Sequence, residues 1–405
     1  MDGIETLFAR HTPAPVARFT GFPRYNFVGG HNDADAIPVD ELAETAARVI
    51  QEGGRRLATY NPDGPLGHAD LRRFVADKLR TRRGIARADA EEVLITSGSL
   101  QALDLVNALM LEPGDTVLVE RETYGGMLER LARKGVRVVG VPMDDDGLDV
   151  EALAVILDRL ARDGVRPKFF YTIPTIQNPT GSVLAVARRA AVLRLAEAHG
   201  FLVFEDECYA ELLWAGDWPK ALAGYETTRP VVHIGSFSKT LAPAMRLGYV
   251  QAPWAILSRL LALKTDAGTP SIEQMIVADY FGRHFDAHVR AHNARLRAKA
   301  EVVTTALARE FGTAAEFTPP RGGIFAWVRL PEAVDTTALA EVALAEGVAI
   351  TPGADWSTEP GAARACFRLC FGLASADELR EGIAELAEIC HRETGVPARS
   401  GNRIR

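Results

Sequence analysis

The most informative part of the sequence is Ser236-Phe237-Ser238-Lys239-Thr240-Leu241-Ala242-Pro243, followed by Arg246-Leu247-Gly248. It comes directly after Val231-Val232-His233-Ile234, an apolar run that is typical of a buried strand. A lysine at the end of a buried strand is costly unless it has a function, and one such function is a Schiff base with a carbonyl cofactor. The serines and Arg246 are suitable donors to a phosphate. On its own, the stretch is equally compatible with a strand end that carries an exposed lysine.

The surrounding sequence alternates short β-branched runs with longer amphipathic stretches, from about residue 92 to residue 252. The predicted strands are 93–96, 116–119, 136–141, 168–172, 201–204 and 231–234. The predicted helices are 99–111, 125–134, 150–162 and 185–199. This alternation predicts an α/β fold with a mostly parallel sheet, covered by helices on both faces.

The pattern changes after Pro253. Two helices are predicted at 255–263 and 271–311, and short strands and helices follow from about 315 to 396, which indicates a small α+β domain. We therefore predict four parts: an N-terminal segment that packs with the small domain or a partner subunit, a large domain, a small C-terminal domain and a disordered tail. Their predicted bounds are 1–55, 56–290, 291–396 and 397–405.

Composition narrows the class of protein. The 405 residues carry a net charge of −7, which argues against binding to a nucleic-acid backbone. The four cysteines lack the spacing of a zinc site, so we expect free thiols in a reducing compartment and no bound metal. No targeting segment and no apolar run near the roughly 20 residues needed to cross a bilayer are present, so a cytoplasmic location without membrane contact is predicted.

Two polar segments follow the first predicted strands. Ligands of an open parallel sheet bind beyond the carboxyl ends of its strands, so these segments are candidates for one site. Gly98-Ser99-Leu100 opens a helix whose first N–H groups could hold an anion, although an ordinary serine cap fits equally well. Tyr124 could stack on a planar ring, although such a tyrosine is more often a rim residue.

Two further segments complete the set. Asn178 lies in a loop stiffened by Pro174 and Pro179, which would aim its amide, but the same residues fit a plain turn. Asp206 ends a buried strand and needs a positive partner, either a protonated ring nitrogen or a helix terminus. Together with Lys239, these groups suit one ligand, pyridoxal phosphate, which has a phosphate, a flat basic ring, a phenolic oxygen and an aldehyde.

With these residues, the sequence resembles the fold-type I pyridoxal-phosphate enzymes. Among them it is most similar to the class I/II aminotransferases and their aminoadipate/kynurenine aminotransferase-like branch. The resemblance extends from about residue 24 to residue 391. It is carried by 171–181, 205–209 and 236–243, which read YTIPTIQNPTG, EDECY and SFSKTLAP. It implies a large domain with a mostly parallel seven-stranded sheet and a small α+β C-terminal domain.

The resemblance also implies roles for individual residues. Lys239 forms the Schiff base and moves a proton from the substrate α-carbon to the cofactor. Asp206 keeps the pyridine nitrogen protonated, Asn178 and Tyr209 hydrogen-bond the phenolic oxygen, and Tyr124 stacks on the ring. The implied phosphate-binding residues are Gly98, Ser99, Ser236, Ser238 and Arg246, and Leu100 beside them stands where the family commonly has glutamine.

Other implied roles concern the substrate and the partner subunit. Tyr60 resembles the tyrosine that reaches the phosphate of the neighbouring subunit, which implies a homodimer. Arg368 resembles the arginine that binds the substrate α-carboxylate, for which a bidentate guanidinium is well suited. Arg364 is a weaker candidate, and an exposed strand position for Arg368 is the alternative.

The segment Val28-Gly29-Gly30-His31 resembles a Gly-Gly-Leu-Pro segment that closes over substrate, so Gly30 and Asn178 join Arg368 in the predicted substrate site. His31 departs from that pattern, and we hypothesise that it faces the substrate side chain and favours a polar or acidic group. The alternative is a solvent-facing loop. Arg18 and Arg24 are compatible with acidic substrates, whereas Phe22 and Phe27 are compatible with aromatic ones.

The reaction that the resemblance implies is transamination between an L-amino acid and a 2-oxo acid by a ping-pong mechanism. The cofactor supports other outcomes at a similar site, so a β-lyase, a decarboxylating deaminase and an amino-acid oxidase remain alternatives. A regulator with an aminotransferase-like domain is a remote alternative, because only about 55 residues precede the core and they lack a basic recognition helix.

Overall fold

The computed structural model describes residues 3–9 and 12–398. The helices are α1 Val39–Gly53, α2 Ala69–Arg83, α3 Ser99–Met110, α4 Gly125–Lys134, α5 Val150–Arg162, α6 Val186–His199, α7 Trp254–Leu263, α8 Ser271–Phe311, α9 Thr336–Ala345 and α10 Ala376–Thr394. The strands are β1 Tyr25–Asn26, β2 Val93–Thr96, β3 Thr116–Glu120, β4 Arg137–Val141, β5 Met143–Asp144, β6 Gly147–Leu148, β7 Phe169–Thr172, β8 Leu202–Asp206, β9 Val231–Ser236, β10 Gly248–Gln251, β11 Phe325–Arg329, β12 Val348–Ala349, β13 Thr351–Pro352 and β14 Cys366–Cys370.

The main sheet has seven strands in the order β2-β10-β9-β8-β7-β3-β4. The strands from β9 to β4 run parallel, and only β10 runs antiparallel to its neighbours β2 and β9. The predicted α/β fold with a mostly parallel seven-stranded sheet is confirmed. Strand β10 was not predicted, because Gly248-Tyr249-Val250-Gln251 contains only a short apolar core.

Both faces of this sheet are covered. Alternation along a strand sends Val117 and Val119 of β3 into one hydrophobic cluster and Leu118 into another on the opposite face. Residues buried on both faces explain why these strands read as continuous apolar runs. With both faces covered, a ligand is expected at the carboxyl edge, where open α/β sheets bind their ligands.

A second, three-stranded antiparallel sheet has the order β11-β14-β13. Its core contains Phe367 and Leu369 from β14, Leu386 from α10 and Phe27 from the N-terminal segment. The N-terminal β1 pairs with β12 in parallel, so the segment before α1 is joined by backbone hydrogen bonds to the C-terminal part of the chain.

Helix α8 is 41 residues long and packs against α1, α2 and α10. It passes without interruption through residues 290 and 291, where the sequence analysis divided the large domain from the small one. The division into four parts stays a prediction. Of the predicted tail, residues 399–405 lie outside the described residues.

All four cysteines are free and buried. In the described part of the chain, no group of three or more side chains has the arrangement of a metal site. Nor does any helix within residues 3–9 and 12–398 have the length and apolar character needed to cross a bilayer.

Candidate active site

A cavity of about 490 Å³ opens at the carboxyl edge of the seven-stranded sheet. Side chains or backbone from β8, β9, α3, the loop after β7 and β14 reach it, together with the N-terminal segment. The predicted residues that line it are Gly30, Ser99, Leu100, Tyr124, Asn178, Asp206, Tyr209, Ser236, Ser238, Lys239, Arg246 and Arg368. The structure thus brings together groups that are separated by up to several hundred positions in the sequence.

Lys239 lies in the turn that follows β9. Its Nζ donates a hydrogen bond of 2.6 Å to the carbonyl oxygen of Gly30. Burial lowers the pKa of the Lys239 ammonium group, because the charged form loses its hydration. A lowered pKa increases the fraction of neutral amine, which is the form that attacks a carbonyl.

Asp206 ends β8 and is almost fully buried at the floor of the cavity. Tyr171 Oη donates to its Oδ2 at 2.8 Å, and the Cys208 N–H donates to its Oδ1 at 3.2 Å. Burial raises the pKa of the Asp206 carboxyl, while the hydrogen bonds from Cys208 and Tyr171 act in the opposite direction. Among the described residues, no cationic side chain forms an ion pair with Asp206, so a cation on a ligand would complete the pair.

Glu205, the neighbour of Asp206 on β8, points to the other side of the sheet. Its carboxylate contacts His233 Nδ1 at 2.9 Å and accepts from the Ala223 N–H at 3.1 Å. The divergence of the two carboxylates follows from strand geometry, as the sequence analysis expected. Only Asp206 is available to the cavity.

An anion cradle forms where α3 begins. Gly98 caps this helix with φ of +79°, and Ser99 and Leu100 of the first turn line the cavity. The N–H groups of a first turn have no acceptors in their own helix. A Cβ at Gly98 would collide with the guanidinium of Arg246, which donates to the Ser97 carbonyl at 3.3 Å. Glycine is therefore required at position 98, because a side chain there would prevent the close approach of Arg246 to the helix. Ser236 and Ser238 also line the cavity.

Asn178 and Arg368 are in direct contact although 190 positions separate them. Arg368 Nη1 donates to Asn178 Oδ1 at 3.1 Å, and Nη2 donates to the Gly29 carbonyl at 3.0 Å. Asn178 Nδ2 is 3.4 Å from Tyr209 Oη. Arg368 Nε is buried without a partner among the described residues, which leaves a donor for an anionic ligand.

Aromatic rings form one wall of the cavity. The Arg368 guanidinium carbon lies 4.0 Å from the ring centroid of Trp356, within cation–π distance. The Trp356 ring also contacts Tyr124, with centroids 5.7 Å apart. Both rings therefore lie on the side of the cavity near the arginine, with their planes tilted by 51° to each other.

Several predicted residues lie outside this cavity lining. Tyr60 is 85% exposed, so its predicted contact in a partner subunit stays a prediction. The His31 ring packs edge-on against the Phe22 ring, with centroids 5.6 Å apart. Burial lowers the pKa of the His31 imidazole, and the charge of Lys239 lowers it further. Arg24 is exposed and lies 3.6 Å from Glu381, and Phe27 is fully buried in the C-terminal core, so neither lines the cavity wall.

Sequence reasoning assigned no role to Tyr171 or Trp356. Tyr171 lies in a strand whose four residues are all buried, and a buried phenol needs a hydrogen-bond partner, so its sequence context contained a usable signal. Trp356 ends the short 3-10 helix Gly353–Trp356 that follows β13, and no local pattern in the sequence indicated that it would pack on Arg368.

Pyridoxal phosphate fits the residues present. The cradle at α3 offers donors to a phosphate, Asp206 is a buried carboxylate without a cation, and Lys239 has a lowered pKa within the same cavity. The donor set contains no cluster of metal ligands among the described residues. Each feature is explained by one ligand with an anionic end, a basic ring nitrogen and an aldehyde.

Comparison with known proteins gives the same family from independent data. Residues 26–386 match the model of "Aminotransferase class I and II". A 2-aminoadipate transaminase of Thermus thermophilus is 34% identical over 89% of this chain and 88% of that protein. The aromatic-amino-acid aminotransferase 1 of Thermococcus litoralis is 32% identical over 91% of this chain and 88% of that protein.

A solved α-aminoadipate aminotransferase of Thermus thermophilus, complexed with N-(5′-phosphopyridoxyl)-L-leucine, aligns with a TM-score of 0.81. It is 34% identical, over 90% of this chain and 91% of that chain. Further relatives are named HTH-type transcriptional regulators, and the match covers 72–75% of their length. Since the family model covers most of the sequence and the cavity suits pyridoxal phosphate, this chain belongs to the class I and II aminotransferases.

Proposed function

We propose that Lys239 is the residue through which this pyridoxal-phosphate-dependent aminotransferase binds its cofactor and moves the substrate proton. The overall reaction transfers an amino group from an L-amino acid to a 2-oxo acid in two half-reactions of a ping-pong sequence. The observation that carries the assignment is the convergence of Lys239 with Asp206 in one cavity, each with a pKa moved by burial.

Bound pyridoxal phosphate supplies an aldehyde that condenses with amines and a ring that withdraws electrons. Asp206 would hold the proton on the ring nitrogen, and Tyr171 and Cys208 hold Asp206 in place. Lys239 would hold the cofactor covalently and, once released, take the proton from the α-carbon of the amino acid. The phosphate would be held by the first turn of α3 and by Ser236, Ser238 and Arg246.

Arg368 would bind the α-carboxylate that every amino-acid and 2-oxo-acid substrate carries. Its two terminal guanidinium nitrogens donate hydrogen bonds to the Asn178 amide oxygen and the Gly29 carbonyl oxygen. Its Nε has no partner among the described residues. The Trp356 ring also packs against the guanidinium group. A planar fork that is held in one orientation suits a carboxylate.

We further propose a homodimer in which Tyr60 reaches the phosphate in the partner's site, and a cytoplasmic location without membrane or nucleic-acid partners. The high exposure of Tyr60 in the single chain supports the first proposal. Four buried free thiols support a reducing compartment.

Borohydride reduction of the holoenzyme, followed by peptide mapping, tests the assignment of Lys239. Reduction converts a Schiff base into a stable secondary amine, so the pyridoxyl group should remain on the peptide that contains Lys239. A label on another lysine would refute the assignment. The Lys239→Arg variant is the matched control, and it should take up no label.

A screen of amino donors with 2-oxoglutarate and pyruvate as acceptors tests the reaction and identifies the substrate. The screen should begin with 2-aminoadipate and the aromatic amino acids, because the relatives act on these by name. With the donor alone, the enzyme should complete one half-reaction and stop, releasing one 2-oxo acid per site. Continued product release with oxygen uptake would indicate an oxidase instead.

A further inference from the structure

The turn that carries Lys239 is held from outside at four consecutive backbone positions. It is a single turn, closed by a 2.8 Å hydrogen bond from the Leu241 N–H to the Phe237 carbonyl, and it does not continue into a helix. The carbonyl groups of residues 238–241 therefore need partners elsewhere. Side chains from two distant parts of the chain supply all of these partners.

Two of the partners are histidines on α8, one helical turn apart. His288 Nε2 donates to the Thr240 carbonyl at 2.6 Å, and His292 Nε2 donates to the Lys239 carbonyl at 3.1 Å. The two rings are stacked, with centroids 6.0 Å apart. Spacing of four residues on a helix places both rings on the same face, directly below the turn.

The tautomer of His288 is fixed by its surroundings. Tyr280 Oη lies 3.1 Å from His288 Nδ1, so the phenol donates there and the Nε2 proton is directed at the Thr240 carbonyl. Burial lowers the pKa of both imidazoles, that of His292 to about 4. Both histidines are therefore neutral donors near pH 7, and they place no positive charge beside the Lys239 amine.

The third partner is Asn32, in the segment that follows Gly30. Its Nδ2 lies 3.1 Å from the Ser238 carbonyl, 3.4 Å from the Lys239 carbonyl and 3.0 Å from the Leu241 carbonyl. Asn32 is buried. The next residue, Asp33, forms an ion pair of 2.9 Å with Lys299 on α8, so this segment and α8 are joined to each other as well as to the turn.

We propose that His288, His292 and Asn32 are positioning residues, which fix the turn so that the Lys239 amine meets the cofactor and the substrate α-carbon. The inference rests on the proposed role of Lys239. None of the three lines the cavity, so they act through the backbone of the turn and not by contact with a ligand. A lysine side chain carries its amine on a flexible four-carbon chain, so the position of the amine depends on a fixed backbone.

Positioning of this kind affects rate more than substrate affinity. A displacement of about 1 Å in a reacting group can lower a rate by about 100-fold. Loss of the His292 donor should therefore lower kcat and slow the covalent capture of pyridoxal phosphate. The KM of the amino donor should change little, because Arg368 and not Lys239 binds the carboxylate.

The test compares His292→Leu with His292→Gln. Leucine removes the donor, whereas glutamine places an N–H near the position of Nε2. We expect His292→Leu to lower kcat by about 10- to 100-fold with KM changed less than about threefold, and His292→Gln to recover kcat to within about threefold of wild type. The rate at which the cofactor-free protein captures added pyridoxal phosphate, followed by absorbance, should show the same order.

Asn293→Leu provides the matched control. Asn293 is the next residue on α8 and also donates from a buried amide to a carbonyl, that of Glu211, at 3.0 Å. This variant should lose stability without the loss of kcat or of capture rate. Equal losses of kcat in Asn293→Leu and His292→Leu, or an unrescued His292→Gln, would overturn the inference in favour of a purely structural role.

Peptide mapping after borohydride separates this inference from the proposed function. A label on Lys239 in wild type, together with unchanged capture and kcat in His292→Leu, would overturn the positioning role alone. A label on a different lysine in wild type would overturn the role of Lys239 and, with it, the inference. The His288→Leu variant repeats the comparison at the Thr240 carbonyl and should show losses similar to those of His292→Leu.

Discussion

The carboxylate of Asp206 depends on Tyr171, a residue of the 171–181 motif for which no role was predicted. Tyr171 on β7 donates to it at 2.8 Å across two adjacent parallel strands. A hydrogen bond to a charged group contributes about 1.5–3 kcal/mol, which is enough to influence how well Asp206 holds a protonated ring nitrogen. Asp206 is thus one part of a pair, since the phenol also fixes the orientation of its carboxyl plane.

We predict that Tyr171→Phe lowers kcat by about 10-fold and weakens cofactor binding, because the ring is kept while the donor is lost. Absorbance titration of the cofactor-free protein with pyridoxal phosphate measures the second effect. Tyr249→Phe is a suitable control, since Tyr249 is also a buried strand tyrosine but its phenol contacts Lys78 at 2.9 Å. Unaltered binding and turnover in Tyr171→Phe would show that Cys208 alone orients the carboxylate.

His292 should make the stability of the protein depend on pH. Its pKa is lowered from the ordinary 6.5 to about 4 in the folded state, chiefly by burial and then by His288, while the hydrogen bond to the Lys239 carbonyl and the charge of Asp33 oppose the shift. The unfolded chain therefore binds the proton more readily, so the stabilising contribution is complete above pH 6.5 and is lost as the pH falls toward 4.

We predict that His292→Gln loses less unfolding free energy than wild type between pH 7 and pH 4.5, by about 2.5 kcal/mol. Urea unfolding at both pH values measures the difference. His284→Gln, which changes an exposed histidine two turns earlier on α8, should follow wild type. Parallel pH profiles for wild type and His292→Gln would contradict the shifted pKa.

The start of α3 combines a backbone requirement with a binding role. Gly98 has φ of +79°, and a Cβ there would meet Arg246. We predict that Gly98→Ala destabilises the protein by about 1–3 kcal/mol and weakens pyridoxal phosphate binding by at least about 10-fold, because the guanidinium must move. Thermal unfolding and cofactor titration measure the two effects.

Gly164→Ala separates backbone strain from loss of the anion cradle. Gly164 has φ of +70°, and nothing lies within 4 Å of the position that its Cβ would take. This variant should lose stability because alanine is strained at a positive φ, but it should bind the cofactor normally. Equal cofactor affinity in both alanine variants would show that Arg246 is not needed at its observed position.

The strands and helices of the main sheet were predictable because short apolar runs and longer helical stretches alternate along most of the chain between residues 93 and 206. The rule that parallel strands end at one edge was enough to bring Ser99, Asp206 and Lys239 together. The contact of Arg368 with Asn178 was beyond such reasoning, because 190 positions separate the two residues. Strand β10 was missed because its apolar run is short. The hydrogen bonds from His288, His292 and Asn32 to the Lys239 turn were not predicted either, because their partners are distant in the sequence and α8 showed only a helical pattern.

The proposed dimer predicts a complementation between two defective variants. Suppose that Tyr60 acts in the partner's site and that a Lys239→Ala subunit pairs with a Tyr60→Ala subunit. One site of this hybrid is then intact, because the Tyr60→Ala subunit supplies Lys239 and the Lys239→Ala subunit supplies Tyr60. Random mixing should then restore about a quarter of the wild-type sites, since half of the dimers are hybrids with one intact site each.

Unfolding and refolding of the two variants together, followed by an activity assay, measures the effect. Activity above the sum of the separately refolded variants supports the shared site. Activity equal to that sum would place Tyr60 outside the partner's site. A mixture of Lys239→Ala with Asp206→Ala should give no such gain, because both residues lie in the cavity of the same chain.

The four buried cysteines have a practical consequence for labelling this protein. Burial raises the pKa of the Cys208, Cys366 and Cys390 thiols, so little thiolate is available to react in the folded state. A cysteine introduced at an exposed position would then be the main target of a maleimide dye near neutral pH. Val16, 95% exposed in the N-terminal segment, is such a position. A single dye can therefore be attached at that position for fluorescence measurements without replacement of the four native cysteines.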